Sequence, residues 1–142
     1  MKYKIGYTTG VFDLFHIGHL RIIQRAKESC EHLIVGVSSD EIVEGYKKTK
    51  PIIPFKERFE IVGAIEYVDQ VVIQDDFDKI RAWEKYKFDA HFHGNDWENS
   101  EEFNRIQKEF KKRGVANIFF PYTKGTSTSR LKKSIYETLS KQ

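Results

Sequence analysis

Cysteine is almost absent from this chain of 142 residues, which contains only Cys30. A single thiol excludes an intrachain disulfide and a cysteine-rich metal cage. Long hydrophobic runs are missing as well, because no apolar stretch approaches the ~20 residues of a membrane span. The amino terminus also lacks the apolar core of a signal peptide. Together these absences predict a cytoplasmic protein without a membrane span.

A large excess of charge of one sign is missing too. The chain has 24 Lys and Arg against 21 Asp and Glu, a formal net charge of +3. A nucleic-acid-binding domain usually has a denser basic face, so we expect no nucleic-acid partner. A small phosphorylated ligand would explain the mild basicity equally well. The content of 39% hydrophobic and 32% charged residues is typical of a globular protein.

Short apolar segments alternate with amphipathic ones along the chain. The apolar segments predict strands at residues 3–9, 33–37, 67–74, 88–93 and 115–120. Between them, apolar residues recur at helical spacing, as at Leu20, Ile23, Ala26 and Cys30, and later at Leu131, Ile135 and Leu139. This alternation predicts an α/β, Rossmann-like single domain over residues 1–142. We expect about five parallel strands with helices on both faces.

Residues 45–54, here called the basic segment, have no clear periodicity. They contain Lys47, Lys48 and Lys50, followed by Pro51 and Pro54. We interpret them as a mobile basic loop that ends where Pro54 begins a helix. Such a run of lysines is commonly a solvated surface. Beside a phosphate site, it could instead close over a triphosphate and an acceptor phosphate.

Residues 10–19, here called the histidine loop, join the first predicted strand to the first predicted helix. The sequence is GVFDLFHIGH, with His16 and His19 three residues apart. Ligands of open α/β sheets bind at this carboxyl edge of the strands, and a helix start is suited to phosphate. Two imidazoles there could stabilise charge on a reacting α-phosphate. The loop therefore predicts a site for a nucleoside triphosphate.

Two other interpretations of the histidine pair are open. The rings could simply lie at the helix start, satisfied by hydrogen bonds to neighbouring backbone carbonyl groups. They could also bind zinc, but a catalytic zinc needs about three protein ligands, and His91 and His93 are the remaining candidates. The combination of a strand, a glycine, an aspartate and both histidines in ten residues favours the phosphate site.

The histidine loop resembles the G-x-F-D-x-x-H-x-G-H signature of the cytidylyltransferase group in the nucleotidyltransferase α/β superfamily. Three further stretches are similar to motifs of that group, in the same order. KERFE at 56–60 resembles E-R-x-E/D, HGNDW at 93–97 resembles a G-D-D-W loop, and TKGTSTS at 123–129 resembles R-T-x-G-I-S-T-T. The resemblance covers almost the whole chain.

The resemblance implies which residues act. The implied catalytic residues are His16, His19, Lys47, Arg58 and Ser127. The implied nucleotide-binding residues are Thr9, Gly10, Val11, Phe12, Asp13, His16, Gly18, His19, Lys50, Arg58, Gly94, Asp96, Trp97, Thr123, Ser127 and Thr128. Mg²⁺ would enter with the triphosphate, and Asp13 would either approach it or stabilise the turn at Gly10. Ser127 could also serve as an ordinary helix cap.

Three positions depart from the motifs of the group. Tyr122 replaces an arginine, Thr126 an isoleucine and Asn95 the first aspartate of G-D-D-W. Lys124 could supply the lost positive charge, although lysine lacks the bidentate fork of arginine. These departures bear on acceptor preference and base selectivity more than on the type of reaction.

The expected activity is transfer of CMP from CTP to a small alcohol phosphate, with glycerol 3-phosphate as the best candidate. The products would be a CDP-alcohol and pyrophosphate. Alternative acceptors are phosphocholine, phosphoethanolamine and sugar-alcohol phosphates. An adenylyltransferase and a catalytically silent nucleotide-binding module are alternative functions. By analogy with the group, we expect a homodimer whose contact lies near YVDQV at 67–71.

Overall fold

A computed structural model of the chain describes residues 2–94, 101–121 and 127–141. Strands and helices alternate in the order β1 (Tyr3–Gly10), α1 (Ile17–Glu28), β2 (Cys30–Ser38), α2 (Asp40–Lys47), α3 (Phe55–Gly63), β3 (Gln70–Gln74), α4 (Lys79–Tyr86), β4 (Ala90–His93), α5 (Glu101–Lys112), β5 (Ala116–Phe119) and α6 (Thr128–Ser140). The predicted α/β architecture is confirmed.

The five strands form one parallel sheet in the order β3-β2-β1-β4-β5. The central strand, β1, pairs with β2 on one side and with β4 on the other. After β1, the chain adds β2 and β3 on one side of it and then adds β4 and β5 on the other side. The carboxyl ends of β1 and β4 therefore border the crevice in which ligands of doubly wound sheets bind.

Two hydrophobic cores lie on opposite faces of the sheet. One contains Ile23 and Ala26 of α1 and Val62 of α3, packed with Leu33, Val35 and Val37 of β2. The other contains Ile80 of α4 and Ile106 and Phe110 of α5, packed with Tyr7 and Ile34. Successive residues of β2 thus point to different cores, as expected for a strand covered on both faces. The predicted helices on both faces are confirmed.

The assignment of Cys30 to the first helix is wrong. Helix α1 ends at Glu28 with Ser29 as its C-cap, and Cys30 begins β2 in register with Tyr3. Its buried thiol still contacts the helix, because Sγ donates to the carbonyl oxygen of Ala26 at 3.3 Å. Burial against the helix end explains why the cysteine continued the helical spacing.

The interpretation of the whole basic segment as a loop is also wrong. Its first residues, Gly45 to Lys47, form the last turn of α2. Ser39 caps that helix by accepting from the backbone N–H of Ile42, and Asp40 and Glu41 lie in its first turn. The helix ends at Lys47, and its C-cap, Lys48, adopts a left-handed conformation with φ of 62°. Favourable chemistry at the helix start outweighed the poor periodicity near its end.

The third strand is shorter than predicted, and one predicted helix cap lies outside the described residues. The third strand begins at Gln70 and not at Tyr67. Gly114 follows α5 with φ of 73°, which agrees with its predicted role in ending that helix. The proposed cap at Ser100 lies outside the described residues. In the parts of the chain that the structure describes, no helix is long and apolar enough to cross a membrane.

Candidate active site

A cavity of about 660 Å³ opens at the predicted edge of the sheet. Its lining includes the end of β1, the histidine loop, the end of β4 and the start of α6. Sequence-predicted residues in the lining are Thr9, Gly10, Val11, Phe12, Asp13, His16, Gly18, His19, Lys47, Lys50, Gly94, Ser127 and Thr128. Residues 10 and 128 are thus brought to one site.

Four of the predicted residues are not among the lining residues that the structure describes. Arg58 is not in its lining, and Asp96, Trp97 and Thr123 lie outside the described residues. The departures from the family motif at Asn95, Tyr122 and Thr126 lie outside them too.

The two histidines cap helix α1 reciprocally. His16 is the N-cap residue, and its Nδ1 accepts from the backbone N–H of Gly18 at 3.0 Å. His19 occupies the third helical position, and its Nδ1 accepts from the backbone N–H of His16 at 3.2 Å. The rings stack with their centroids 3.9 Å apart. The hydrogen-bond partners of these ring nitrogens are therefore backbone N–H groups and not the expected carbonyl groups. The phosphate interpretation stays open because each ring has a second nitrogen.

These caps determine the tautomer of each neutral ring. An Nδ1 that accepts a hydrogen bond carries no proton, so the proton of a neutral imidazole must lie on Nε2. Both rings line the cavity. The histidine loop therefore presents two Nε2–H donors in fixed orientation beside the cavity.

The surroundings keep both rings neutral near pH 7. Burial, together with the nearby His16 and Lys47 and against an opposing effect of Asp13, lowers the pKa of His19 to about 4. Burial also lowers the pKa of His16. The pair can therefore donate hydrogen bonds without carrying positive charge.

The backbone of the histidine loop has two residues in the left-handed region. Phe12 has φ of 57° and Leu14 has φ of 49°, which is uncommon for residues with bulky side chains. The ring of Phe12 folds back over Gly10, where a Cβ atom would lie 2.9 Å from Cζ of the ring. Gly10 is thus needed for packing of Phe12 as much as for approach of a ligand.

Asp13 connects the histidine loop to the basic segment. Its Oδ2 accepts from the backbone N–H of Ile52 at 2.8 Å, and its Oδ1 accepts from that of Ile53 at 2.9 Å. Although burial alone raises the pKa of Asp13, these two bonds and Lys132 outweigh it and hold the pKa below its usual value. The carboxylate is therefore ionised, and its hydrogen bonds are made with groups of the protein itself.

The hydrogen bonds of Asp13 would compete with direct binding of magnesium. Mg²⁺ prefers oxygen ligands and commonly binds through one or two carboxylates together with substrate phosphates. Both oxygens of Asp13 already accept backbone hydrogen bonds. Within residues 2–94, 101–121 and 127–141, no group of three or more His, Cys, Asp or Glu could hold a metal ion. His91 and His93, the further zinc candidates, are buried in β4.

Arg58 lies behind the cavity wall instead of facing the cavity. The residue is fully buried, and its guanidinium donates to the carbonyl oxygens of Ile53, Val11 and Ser38 at 2.7–2.8 Å. A fourth bond, at 2.6 Å, pairs it with the carboxylate of Asp40. The resemblance implied that Arg58 acts on the nucleotide. In the structure its guanidinium is instead bonded to Asp40 and to backbone carbonyls, so Arg58 holds the wall together.

Helix α6 begins at the cavity. Ser127 is its N-cap and accepts from the backbone N–H of Arg130 at 3.1 Å. The hydroxyl of Thr128 donates to the backbone carbonyl of Asp13 at 2.9 Å. These bonds place the positive end of the helix beside the histidine loop, which is favourable for an anion in the cavity.

Positive side chains line the cavity from two directions. Lys47 and Lys50 come from the basic segment, and Arg130 and Lys132 come from α6. Sequence reasoning missed the last two. Their signal was weak, because they follow the TSTS motif within one turn of a helix whose other lysine, Lys133, is exposed. Other lining residues that were missed are Thr8, Ile22, Val43, Thr49, Pro51 and Ser129.

Comparison with known proteins adds independent evidence. The profile of the family described as "Cytidylyltransferase-like" matches residues 7–134. The chain is 33% identical over 142 residues to a glycerol-3-phosphate cytidylyltransferase of Bacillus subtilis strain 168, covering 95% of this chain and 98% of the relative. It is also 36% identical over 107 residues to an FAD synthase of Ferroglobus placidus, covering 75% of this chain and 68% of that protein.

Solved structures support the fold. The crystal structure of a lipopolysaccharide core biosynthesis protein from Thermoplasma volcanium superposes with a TM-score of 0.72 at 22% identity. The match covers 87% of this chain and 99% of the other.

Proposed function

Because the chain belongs to the cytidylyltransferase-like family, we propose that it transfers CMP from CTP to glycerol 3-phosphate. The products are CDP-glycerol and pyrophosphate. The structural observation that carries the proposal is the pair of neutral imidazoles with fixed Nε2–H donors, placed in a cation-lined cavity at the crevice between β1 and β4. The family is one of enzymes, and the site has the parts that nucleotidyl transfer requires.

The reaction is a displacement at the α-phosphorus of CTP. A phosphate oxygen of the acceptor forms the new P–O bond while the bond from the α-phosphorus to the bridging oxygen of pyrophosphate breaks. The electron pair of the broken bond leaves with pyrophosphate. No side chain needs to form a covalent intermediate, so the protein contributes positioning and stabilisation of charge.

The histidines serve this displacement as donors of hydrogen bonds. Negative charge grows on the oxygens around the α-phosphorus as it becomes five-coordinate. An Nε2–H donor aimed at those oxygens binds the transition state more strongly than the ground state. Since the rings are held by backbone caps, they need no reorganisation when the charge develops.

The charged lining favours an acceptor that bears phosphate and no quaternary amine. Lys47, Lys50, Arg130 and Lys132 supply positive charge, whereas Asp13 is the one carboxylate among the described lining residues and is already bonded to backbone N–H groups. A choline-bearing acceptor would gain from an acidic or aromatic cage. The relative from Bacillus subtilis, matched over its whole length, is named for glycerol 3-phosphate.

Magnesium remains part of the proposal as a companion of the nucleotide. The ion would be held mainly by the triphosphate and water, since Asp13 is otherwise engaged. Bound there, Mg²⁺ would neutralise charge on the phosphates. Removing divalent cations with a chelator tests this point, and undiminished turnover in the chelator would contradict it.

A release assay for pyrophosphate tests the proposed function. CTP and ATP are each combined with glycerol 3-phosphate, phosphocholine, phosphoethanolamine and a sugar-alcohol phosphate. We expect the highest kcat/KM with CTP and glycerol 3-phosphate. A preference for ATP would favour an adenylyl transfer, an alternative suggested by the related FAD synthase, whose named product contains adenine. Binding of CTP without turnover of any acceptor would favour a silent nucleotide-binding module.

The homodimer and the cytoplasmic location stay predictions. Strand β3 is an edge of the sheet, and Ile61 and Ile73 are large apolar side chains exposed on α3 and β3. An edge strand with exposed apolar neighbours is a surface suited to a second copy. Light scattering coupled to size exclusion measures the mass in solution, and cell fractionation tests the location.

A further inference from the structure

Three aromatic rings contact the imidazole of His19. His16 stacks on it with centroids 3.9 Å apart, Phe15 lies tilted at 5.3 Å, and Phe12 meets it edge to face at 5.5 Å and 70°. Edge-to-face contacts are a favoured geometry of aromatic pairs. The single hydrogen bond that His19 accepts, at 3.2 Å, restrains one nitrogen and leaves the ring free to tilt. The surrounding rings supply the remaining restraint.

Phe12 reaches His19 from an unfavourable backbone conformation. Its φ of 57° lies in the left-handed region, where the Cβ atom crowds the following carbonyl oxygen. A glycine would adopt this conformation at lower cost. Strain of this kind persists only where the surrounding structure compensates for it, and it is concentrated at functional sites. A phenylalanine at this position therefore indicates a role of the ring that a glycine could not fill.

The ring of Phe12 is fixed by its packing on two further sides. It is 6% exposed and belongs to the core that contains Ile23 and Val62. It also lies on the backbone of Gly10, because the three atoms nearest to a Cβ at that position would all belong to the Phe12 ring, at 2.9–3.2 Å. These contacts determine the position from which the ring meets His19.

We propose that Phe12 is a positioning residue for His19, whose ring it holds in the orientation in which Nδ1 caps the helix and Nε2–H is directed at the reacting phosphate. This inference rests on the proposed function. It adds to the reaction a residue that acts through His19 without making a hydrogen bond of its own. A donor stabilises the transition state only when it is accurately placed, so loss of the Phe12 ring should impair turnover.

Hydrogen exchange of the His16 backbone N–H tests the restraint, because that group donates to Nδ1 of His19. Phe12→Leu removes the ring and keeps an apolar side chain. The matched control, Phe92→Leu, removes a ring from the same core, where Phe92 stacks on Phe120. We expect exchange to become roughly three- to tenfold faster in Phe12→Leu, as the strength of an aromatic pair implies, and to stay unchanged in the control. Unchanged exchange in Phe12→Leu would overturn the proposal.

The titration of His19 is a second readout. Burial is the main cause of its lowered pKa, while His16 and Lys47 act in the same direction and Asp13 acts against them. These three groups are kept in Phe12→Leu, whereas the imidazole becomes accessible to water. We expect NMR to show the pKa of His19 rising from about 4 toward 6.5 in this variant and staying low in the control. A pKa that stays low in both would contradict the positioning role.

Gly10→Ala disturbs the same ring without removing it. The added Cβ would meet the Phe12 ring, so exchange of the His16 N–H should become faster, though less than in Phe12→Leu. In the Phe12→Leu background the ring is absent, and Gly10→Ala should have much less effect. Equal effects in the two backgrounds would show that Gly10 acts independently of the ring and would refute the inference.

Steady-state kinetics with CTP distinguish positioning from direct binding, since Phe12 also lines the cavity. We expect kcat to fall by about 10- to 100-fold in Phe12→Leu, as for a small misplacement of a catalytic group, with KM for CTP nearly unchanged. A rise in KM with unchanged kcat would show that Phe12 binds the nucleotide and would overturn the inference.

The same measurements separate this inference from the proposed function. If no acceptor gives turnover with CTP, the proposed function fails, while exchange and titration still test the restraint on His19. If turnover is normal in the parent chain and Phe12→Leu changes neither kcat nor exchange nor titration, the function stands and the role of Phe12 is refuted.

Discussion

Each imidazole of the histidine loop uses one nitrogen for the fold and has the other available for chemistry. The Nδ1 atoms of His16 and His19 accept backbone N–H groups at the start of α1. In most helices a serine, threonine, aspartate or asparagine performs this capping. An imidazole performs it and also extends a donor to the far side of the ring. In the proposed reaction, capping and catalysis would be one arrangement, because the cap orients the nitrogen that we propose to act in catalysis.

Replacing His19 by asparagine separates these two uses. The asparagine Oδ1 can still accept the backbone N–H of His16, but the side chain is too short to present a donor where Nε2–H was. We expect kcat to fall about 10²–10³-fold, as for loss of one oxyanion donor, with little change in the free energy of unfolding. The measurements are steady-state kinetics and urea denaturation. His32→Asn, an exposed change on β2, is the control, and near-normal turnover in His19→Asn would refute the assignment.

The pKa of His19 leads to a prediction about pH. Burial lowers the folded-state pKa to about 4, whereas the ordinary value is 6.5. The unfolded chain therefore takes up this proton first as the pH falls, so the stability from the neutral ring is complete above pH 6.5 and is lost toward pH 4. We expect no titration of His19 between pH 6 and 8 in NMR spectra of the folded protein. A titration near 6.5 would contradict the buried, neutral ring.

Arg58 shows how one side chain can hold several elements together. It lies on α3, and its hydrogen bonds reach the histidine loop at Val11, the end of β2 at Ser38 and the start of α2 at Asp40. All three partners border or support the cavity. An arginine can do this because its planar guanidinium has five N–H donors in fixed directions. Its effect on the site is indirect.

Truncation of Arg58 should therefore reduce stability. Arg58→Ala leaves Asp40 and several carbonyl groups without their donor, and removal of one partner from a buried pair typically costs about 3–5 kcal/mol. We expect a loss of this size in urea denaturation. Arg21→Ala on α1, where the side chain is exposed and bonded to Gln24, should change stability by less than about 0.5 kcal/mol. A stable Arg58→Ala variant with weakened CTP binding would instead indicate direct phosphate contact.

Among the described residues, four positive side chains lie around one cavity, although the net charge of the whole chain is only +3. Lys47, Lys50, Arg130 and Lys132 reach the cavity from segments that the sheet brings to one edge. We expect a triphosphate bound there to contact the histidine loop, the basic segment and α6 together. Binding should therefore oppose separation of these segments as well as fill the cavity.

Ligand binding should consequently stabilise the whole fold. CTP at about 100 times its Kd should add about 2.7 kcal/mol to the free energy of unfolding, seen as a higher melting temperature. The increase should be smaller in high salt, because screening weakens attraction between partly exposed cations and phosphate. Cytidine at the same concentration, which lacks phosphates, is the control. An equal shift with cytidine would show that the cations do not contribute.

Local patterns in the sequence were sufficient for much of this structure. Alternation of apolar and amphipathic segments predicted the parallel sheet, since periodicity depends on neighbours within one element. The histidine loop, the cap at Ser127 and the end of α5 at Gly114 were likewise predicted from short stretches. Predicted element boundaries were wrong where a residue contacts two elements, as Cys30 does, or where helix capping had more effect than periodicity, as in α2.

The sequence by itself determined the fold class, the edge of the sheet that carries the site and the residues of the histidine loop. Tertiary structure decided what the charged residues do. Arg58 and Val11 are 47 positions apart, and Thr128 and Asp13 are 115 apart. A charge near a motif predicts an anionic partner, but the chain alone does not show whether that partner is substrate or protein. Folding resolved the choice, because a buried charge must be paired within the protein. Arg58 and Asp13 are bonded to groups of the protein, while Lys132 pairs with Asp13 and also lines the cavity.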